Sequence, residues 1–460
     1  MNLPRLMIAA PSSGSGKTTV TAGLLAALTA RGRRVAPFKV GPDYIDPGYH
    51  ALAAGRPCHN LDPWLLAPDR LLASFSHRAA GADLALIEGV MGLFDGYSGT
   101  DDTGSTAHLA RLLQAPVVLV LDVGAMARSA AAIVRGFRDF DPRVRLAGVL
   151  LNQVGSEGHA RLVQAAIEAE TGLPVLGYLP RNAELALPER HLGLVPTAEP
   201  GPWQDWVERV RQTVEASVNL EAIQALAETA PPLPEMGADP FALQPISPRP
   251  VIAVARDAAF SFIYADNLDL LTAAGAELAF FSPLADAALP HGTQALYLCG
   301  GFPELYAAEL ARNESLLAAV RGAHAAGLPI YAECGGLMYV TEAIRDLQGA
   351  VFPMAGLLPG LSAMTPRLTL GYRTFRAVSD SWLWQSGEQM RGHEFHYSNW
   401  QGRPQDLPYL YELQPDAQLS TIRGEGARAG NLIASYTHLH FLSQPELAAR
   451  FVRAASRFRP

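Results

Sequence analysis

Short apolar runs alternate with helix-length stretches along most of the chain. In the first half the runs are Leu6 to Ala10, Arg34 to Lys39, Leu84 to Glu88, Pro116 to Asp122 and Leu146 to Leu151, and segments such as Val20 to Thr29 between them carry helical spacing. This rhythm, continuing to about Pro180, predicts a parallel sheet covered by helices. An amphipathic stretch from Trp203 to Ala230 reads as one or two helices. Between Pro231 and Pro250 seven of twenty residues are proline, which breaks both periodicities and predicts a linker. The strand rhythm then restarts at Val251 to Ala255, Glu277 to Phe281, Ala295 to Cys299 and Pro329 to Ala332. The expected fold class is therefore α/β in two domains, residues 1–230 and 251–460, joined by a linker over 231–250.

Composition narrows the function. The 460 residues are 49% hydrophobic and 17% charged, enough to bury large cores and too many for one. A net charge of −8 argues against a nucleic-acid partner. No apolar run approaches the roughly 18 residues that cross a bilayer; the greasiest, Pro116 to Ala127, is broken by Asp122. Met1 to Ala10 has the look of a short signal peptide, but it leads straight into a glycine-rich loop that cleavage would destroy, so it is read as the first strand. Three scattered cysteines, Cys58, Cys299 and Cys334, fit neither a disulfide framework nor a four-cysteine zinc site, and a reducing cytoplasm is expected.

The segment Pro11-Ser-Ser-Gly-Ser-Gly-Lys-Thr-Thr19 lies between a strand and a helix, the context of a nucleotide-phosphate loop. Gly14 and Gly16 would let the backbone cradle phosphate, Lys17 would neutralise the β/γ charge, Thr18 would reach Mg²⁺, and Thr19 continues the ATP-binding turn. Pro11 stands where the pattern usually begins with glycine. Beyond the second strand, Pro37-Phe-Lys-Val-Gly-Pro-Asp-Tyr-Ile-Asp-Pro47 occupies the carboxyl edge of the sheet, where ligands bind. Carboxylates beside a triphosphate make sense if they hold metal or position substrate. Asp43 is assigned to the metal, and Lys39, Tyr44 and Asp46 to the substrate, with turn capping the plain alternative for the two aspartates. Glu88 ends a strand facing the phosphate loop and is a second metal ligand. Asp95, before Gly96, either touches substrate or caps a turn. Asn152 either reads the adenine edge or caps the next helix.

In the second half, Pro329-Ile-Tyr-Ala-Glu-Cys-Gly-Gly-Leu-Met-Tyr-Val340 reads as strand, sharp turn, helix: a nucleophile elbow built on sulfur. The helix N-terminus would lower the Cys334 pKa, and the Gly335 N–H would stabilise an oxyanion. His438, after an apolar run, is the expected base, with His393 and His396 as rivals.

Taken together, the phosphate loop, Lys39 to Pro47, Asn60-Leu-Asp62, Gly301-Phe-Pro-Glu304, Glu333 to Tyr339 and Gly392-His-Glu-Phe-His396 resemble the cobyrinic acid a,c-diamide synthases over nearly the whole chain. The resemblance implies a dethiobiotin-synthetase-like ATP domain followed by a flavodoxin-like class I glutamine amidotransferase domain. It implies a ligase of cobalamin biosynthesis that amidates the a and c carboxylates of cobyrinic or hydrogenobyrinic acid with glutamine nitrogen, using ATP and Mg²⁺. It also implies Gly301 beside Gly335 at the oxyanion, and a homodimer is expected. Two departures stand out against amidotransferases in general: Ala332 replaces the glycine two residues before the cysteine, and His440 stands where an acid usually orients the base.

The chemistry follows independently, because ammonia does not displace oxide from an unactivated carboxylate. Phosphoryl transfer from ATP would give an acyl phosphate, while Cys334 attacks the glutamine carboxamide to form a thioester and release ammonia. A nonenzymatic P-loop switch would explain only the first half. Cobyric acid synthase and a nickel-tetrapyrrole a,c-diamide synthase are the enzymatic alternatives.

Overall fold

The computed structural model describes residues 3–190, 193–234, 238–415, 419 and 421–459. The chain forms two compact units, Met1–Asp239 and Pro240–Pro460. The proline-rich stretch thus falls partly in each, and its residues 235–237 lie outside the described residues.

The first unit is built on seven parallel strands: β1 (Arg5–Ala9), β2 (Val35–Val40), β3 (His59–Leu61), β4 (Leu84–Glu88), β5 (Val117–Asp122), β6 (Leu146–Val154) and β7 (Val175–Pro180). Their spatial order is β3-β2-β4-β1-β5-β6-β7. β1 and β4 are buried at every position, as expected of strands covered on both faces by helices. The five runs expected from the sequence are five of these strands. Three-residue β3 and partly exposed β7 were too short or too mixed to read. The chain leaves β1 toward β2 and leaves the neighbouring β5 toward β6 on opposite sides, so a crevice opens at their carboxyl ends, where α1 (Lys17–Ala30) begins. α2 (Asp46–Ala54) starts with Pro47 in its first turn and stops at Gly55 in the left-handed conformation. The Trp203 to Ala230 stretch is two helices, Trp203–Ser217 and Leu220–Glu228, the second capped by the Asn219 side chain.

The second unit has a six-stranded sheet in the order Glu277–Phe281, Val251–Ala255, Thr293–Leu298, Ile330–Glu333, Leu432–Ser435, Ala427–Ala429. All neighbours are parallel except the last pair. A second, largely antiparallel sheet was not foreseen. It is dominated by Leu358–Ala377 paired with Gln389–Gln401. Leu358–Ala377 mixes buried and exposed positions, and in Gln389–Gln401 the alternating buried positions include Gly392, Glu394, His396 and Ser398, so neither strand shows an apolar period. Among the described residues no helix is long and apolar enough to cross a membrane.

Candidate functional site

The phosphate loop turns through Gly14 (φ 76°) and Gly16 (φ 92°), both left-handed, so that α1 starts directly at Lys17. Lys17 Nζ donates to the Ser12 carbonyl at 3.0 Å and the Met91 carbonyl at 2.6 Å. Burial, and next Lys39, lower its pKa to about 8. Thr18 Oγ1 donates to Glu88 Oε1 at 2.9 Å and to Asp46 Oδ2 at 3.3 Å. Thr19 lies half-buried in the same turn. Asn152 Nδ2 donates to the Ser15 carbonyl at 3.0 Å, and a Cβ on Gly16 would collide with it. The amide therefore braces the loop from beneath. It does not cap the next helix, since the Ser156 hydroxyl accepts the His159 N–H there.

Lys39 and Glu88 stand side by side because β2 and β4 pair in that register. Lys39 Nζ donates to Glu88 Oε1 at 2.9 Å, Asp46 Oδ2 at 2.6 Å and the Gly89 carbonyl at 3.1 Å. Burial would lower the Lys39 pKa, but Asp46, Glu88 and Asp43 together raise it, so the ammonium stays charged. Burial likewise opposes a charged Glu88, and Lys39 and His50 outweigh it, holding Glu88 below the usual carboxylate range.

The sequence reading gave Asp43 to the metal and Asp46 to substrate. In the structure Asp46 is the aspartate against Thr18, whereas Asp43 Oδ1 accepts the Ile45 N–H at 2.8 Å and the Asp46 N–H at 3.4 Å. Its Oδ2 faces Lys39 at 3.7 Å. Burial, and next Asp46, push Asp43 up to about 7. Asp43 thus shapes the turn that delivers Asp46. Asp95 Oδ2 accepts the Gly92 N–H at 2.9 Å, the turn-capping alternative realised, and its side chain is exposed. Tyr44 is half-buried in the Asp43 to Asp46 turn.

In the second unit Cys334 adopts φ 47°, ψ −101°, a strained conformation between the strand Ile330–Glu333 and the short helix Gly335–Val340. The elbow is held by the Cys334 N–H, which donates to the Ser435 carbonyl at 2.7 Å. Glycines allow the close approach around it. A Cβ on Gly335 would sit 3.0 Å from the Gly301 nitrogen, and one on Gly300 would sit 2.5 Å from His438 Cε1. Gly301 and Gly335 are therefore neighbours, as an oxyanion pair requires. Cys334 is 3% exposed, and its sulfur faces the Phe395 carbonyl at 3.7 Å. The short helix does not dominate its titration as the sequence suggested: burial, and next Glu304, push the thiol up, against the Gly335 N–H.

His438 is fully buried. It exchanges backbone hydrogen bonds with His393, and the two rings stack at 4.9 Å. Burial, then His393 and His396, lower the His438 pKa well below its ordinary value, which keeps the resting ring neutral. His393 is held at about 3 by burial and by His440. His440 Nε2 lies 3.7 Å from Asp266 Oδ2, so the position lacking an acid carries a histidine that meets one from another element.

The sequence reading missed His50, whose Nε2 meets Glu88 Oε2. Its signal was spacing: Asp46 and His50 are i,i+4 on one helix and face the same way. Asn60, noted only within a motif, donates to the Gly41 and Asp43 carbonyls at 2.9 and 2.7 Å and fixes the acidic turn.

Residues 6–195 match the family model described as the CobQ/CobB/MinD/ParA nucleotide binding domain, and residues 251–446 match the CobB/CobQ-like glutamine amidotransferase domain. A cobyrinate a,c-diamide synthase of Dehalococcoides mccartyi is 48% identical, covering 100% of this chain and 99% of its own. A hydrogenobyrinate a,c-diamide synthase of Streptomyces coelicolor is 47% identical over 98% of this chain and 97% of its own. A cobyrinate a,c-diamide synthase of Methanosarcina acetivorans is 41% identical, covering 100% and 96%. With phosphate loop, acidic cluster and cysteine elbow on one chain matched end to end by such relatives, the protein belongs to the cobyrinate/hydrogenobyrinate a,c-diamide synthase family.

Proposed function

We propose that the protein is an ATP-dependent, glutamine-hydrolysing ligase that converts the a and c carboxylates of cobyrinic or hydrogenobyrinic acid to amides. The observation that carries this reading is the pairing, on one chain, of the Lys17, Thr18, Glu88 cluster with the Cys334 elbow. Residues 1–230 would activate the carboxylate and residues 251–460 would supply ammonia, with 231–250 as the linker.

On the ATP side, Gly14, Gly16 and Thr19 would present backbone N–H groups to phosphate, and Lys17 would follow the charge that moves during transfer. Asn152 would hold the loop in shape while its remaining carbonyl faces the nucleotide. Thr18, Asp46 and Glu88 offer only oxygen donors, a set that fits a hard cation, and they are the residues that would hold magnesium. When bound, magnesium would neutralise charge on the phosphates. Lys39, whose three N–H groups already go to Asp46, Glu88 and the Gly89 carbonyl, would hold the two acids in place and not grip the incoming carboxylate, with Tyr44 and Asp95 at the edge of the substrate site. Attack of the substrate carboxylate on the γ-phosphorus forms an acyl phosphate and ADP. Ammonia then displaces phosphate, losing a proton.

On the glutamine side, neutral His438 would take the Cys334 proton as sulfur attacks the carboxamide carbon. The Gly301 and Gly335 N–H groups would receive the developing oxyanion. His438 returns the proton to the departing ammonia, and water hydrolyses the glutamyl thioester to glutamate. A neutral thiol and a neutral imidazole are a consistent resting pair, since the proton moves only when substrate is in place.

The test separates the two halves. Cys334→Ser should abolish amidation from glutamine and spare amidation from ammonium salts, whereas Lys17→Ala should stop both. Loss of both activities in a folded Cys334→Ser protein would overturn the division. Mass spectrometry of products from cobyrinate, hydrogenobyrinate and a nickel tetrapyrrole identifies the macrocycle; two added amides on the nickel substrate alone would overturn the corrinoid reading.

A further inference from the structure

Glu333 directly precedes the nucleophile and is 1% exposed, yet none of the steps above involves it. Its Oε1 accepts from the Tyr331 hydroxyl at 2.6 Å and from the Leu439 N–H at 3.0 Å, and its Oε2 accepts from the Tyr297 hydroxyl at 3.0 Å. Leu439 directly follows His438. The chain just beyond is gripped as well, because Asn267 Nδ2 donates to the Leu439 carbonyl at 2.8 Å while Asn267 Oδ1 accepts the Phe441 N–H at 2.8 Å.

The strands beneath are in register, with Glu333 opposite Ser435, and the Ser435 carbonyl accepts the Cys334 N–H. His438 is therefore bracketed by two ties, one three residues before it and one immediately after. Both ties end on the dipeptide Glu333-Cys334. A carboxylate is an expensive way to fill an apolar core, and burial pushes this one up to about 7. If only volume were needed, an apolar side chain would pack there at lower cost. What an apolar side chain cannot do is accept the Leu439 N–H.

We propose that Glu333 is a positioning residue of the glutaminase reaction, which fixes His438 relative to the Cys334 sulfur by accepting the N–H of Leu439. The proposal rests on Cys334 and His438 being the glutaminase pair. Errors of about 1 Å between reacting groups can cost roughly 100-fold in rate. Glu333→Ala should accordingly lower glutaminase kcat by about that factor and leave KM for glutamine and ammonia-driven amidation near wild type. Glu333→Gln should recover most of the loss, since its amide oxygen can still accept from Tyr331 and Leu439 while its NH₂ donates to the Tyr297 oxygen.

The experiment is steady-state glutaminase and ammonia-driven amidation for both variants and for Cys334→Ser, with thermal melts alongside. Wild-type kcat in folded Glu333→Ala, or equal damage in Glu333→Gln, would overturn the proposal. Glutaminase activity surviving in Cys334→Ser would instead overturn the reading beneath it. Should Glu333→Ala fail to fold, Glu333→Met decides: it keeps most of the volume and removes the acceptor for the Leu439 N–H, so it should lower kcat without moving KM, and an unchanged kcat would refute the proposal.

Discussion

His50 Nε2 meets Glu88 Oε2 inside the nucleotide-binding unit, with neither side chain exposed to solvent. The other oxygen of Glu88 receives Thr18 and Lys39. Glu88 is thus held from three sides by groups from β2, α1 and α2, and of these Thr18 and Lys39 also meet Asp46.

Replacing His50 by alanine should leave one Glu88 oxygen buried without its partner. A buried polar group so orphaned costs about 1–3 kcal/mol. Thermal melts should show that loss, and amidation should fall with glutamine and with ammonia alike. Glutaminase turnover should stay at the wild-type level, because Cys334 lies in the other unit. A wild-type amidation rate in the variant would mean that Lys39 and Thr18 alone hold Glu88 in place.

Asp46 and Asp43 should separate in their effects. Asp46→Ala removes a carboxylate shared by Thr18 and Lys39, and loss of one charge-assisted contact at the reacting phosphate costs roughly 3–4 kcal/mol, or about 10²–10³ in turnover. Asp43→Asn keeps the oxygen that accepts the Ile45 N–H, so its fall should be much smaller. Steady-state amidation at saturating ATP measures both, and equal falls would return Asp43 to the metal.

Gly16→Ala places a Cβ against Asn152 Nδ2 in a left-handed turn. The backbone cost alone is roughly 1–2 kcal/mol, which corresponds to about 5- to 30-fold in affinity for ATP. KM for ATP should rise by at least that factor while glutaminase activity holds. An unchanged KM would show that the loop binds phosphate in another conformation.

Glu425 carries a pH dependence of stability. It accepts from Ser435 Oγ at 2.6 Å and from the Tyr436 N–H at 2.7 Å, and burial, then Glu394, push it up to about 7. A carboxyl raised in the folded state contributes most below its unfolded pKa, and that contribution fades as pH climbs from about 4.5 to about 7. At about 1.4 kcal/mol per pKa unit the effect reaches at most about 3 kcal/mol. Melts of Glu425→Gln between pH 5 and 8 should therefore show a shallower decline than wild type. Parallel curves would assign the slope to other groups.

Most strands of the two main sheets could be read from the sequence because continuous apolar runs between helical spacings have few other uses, and proline density marked the break between the halves. The phosphate loop and the cysteine elbow were equally legible, since each needs particular residues at adjacent positions: Gly16-Lys17-Thr18 in one, Glu333-Cys334-Gly335 in the other. What the sequence could not supply was any relation closed across the sheet. Lys39 meets Glu88 only because β2 and β4 pair in that register, and the choice of Asp46 over Asp43 depends on which backbone N–H groups claim the other carboxylate. His50 and Asp266 were invisible for the same reason: their partners lie 38 and 174 residues away, Glu88 for the first and His440 for the second. Local order along the chain determines which chemical groups are present at a strand end or turn, whereas register and burial decide which of them touch and in which charge state they rest.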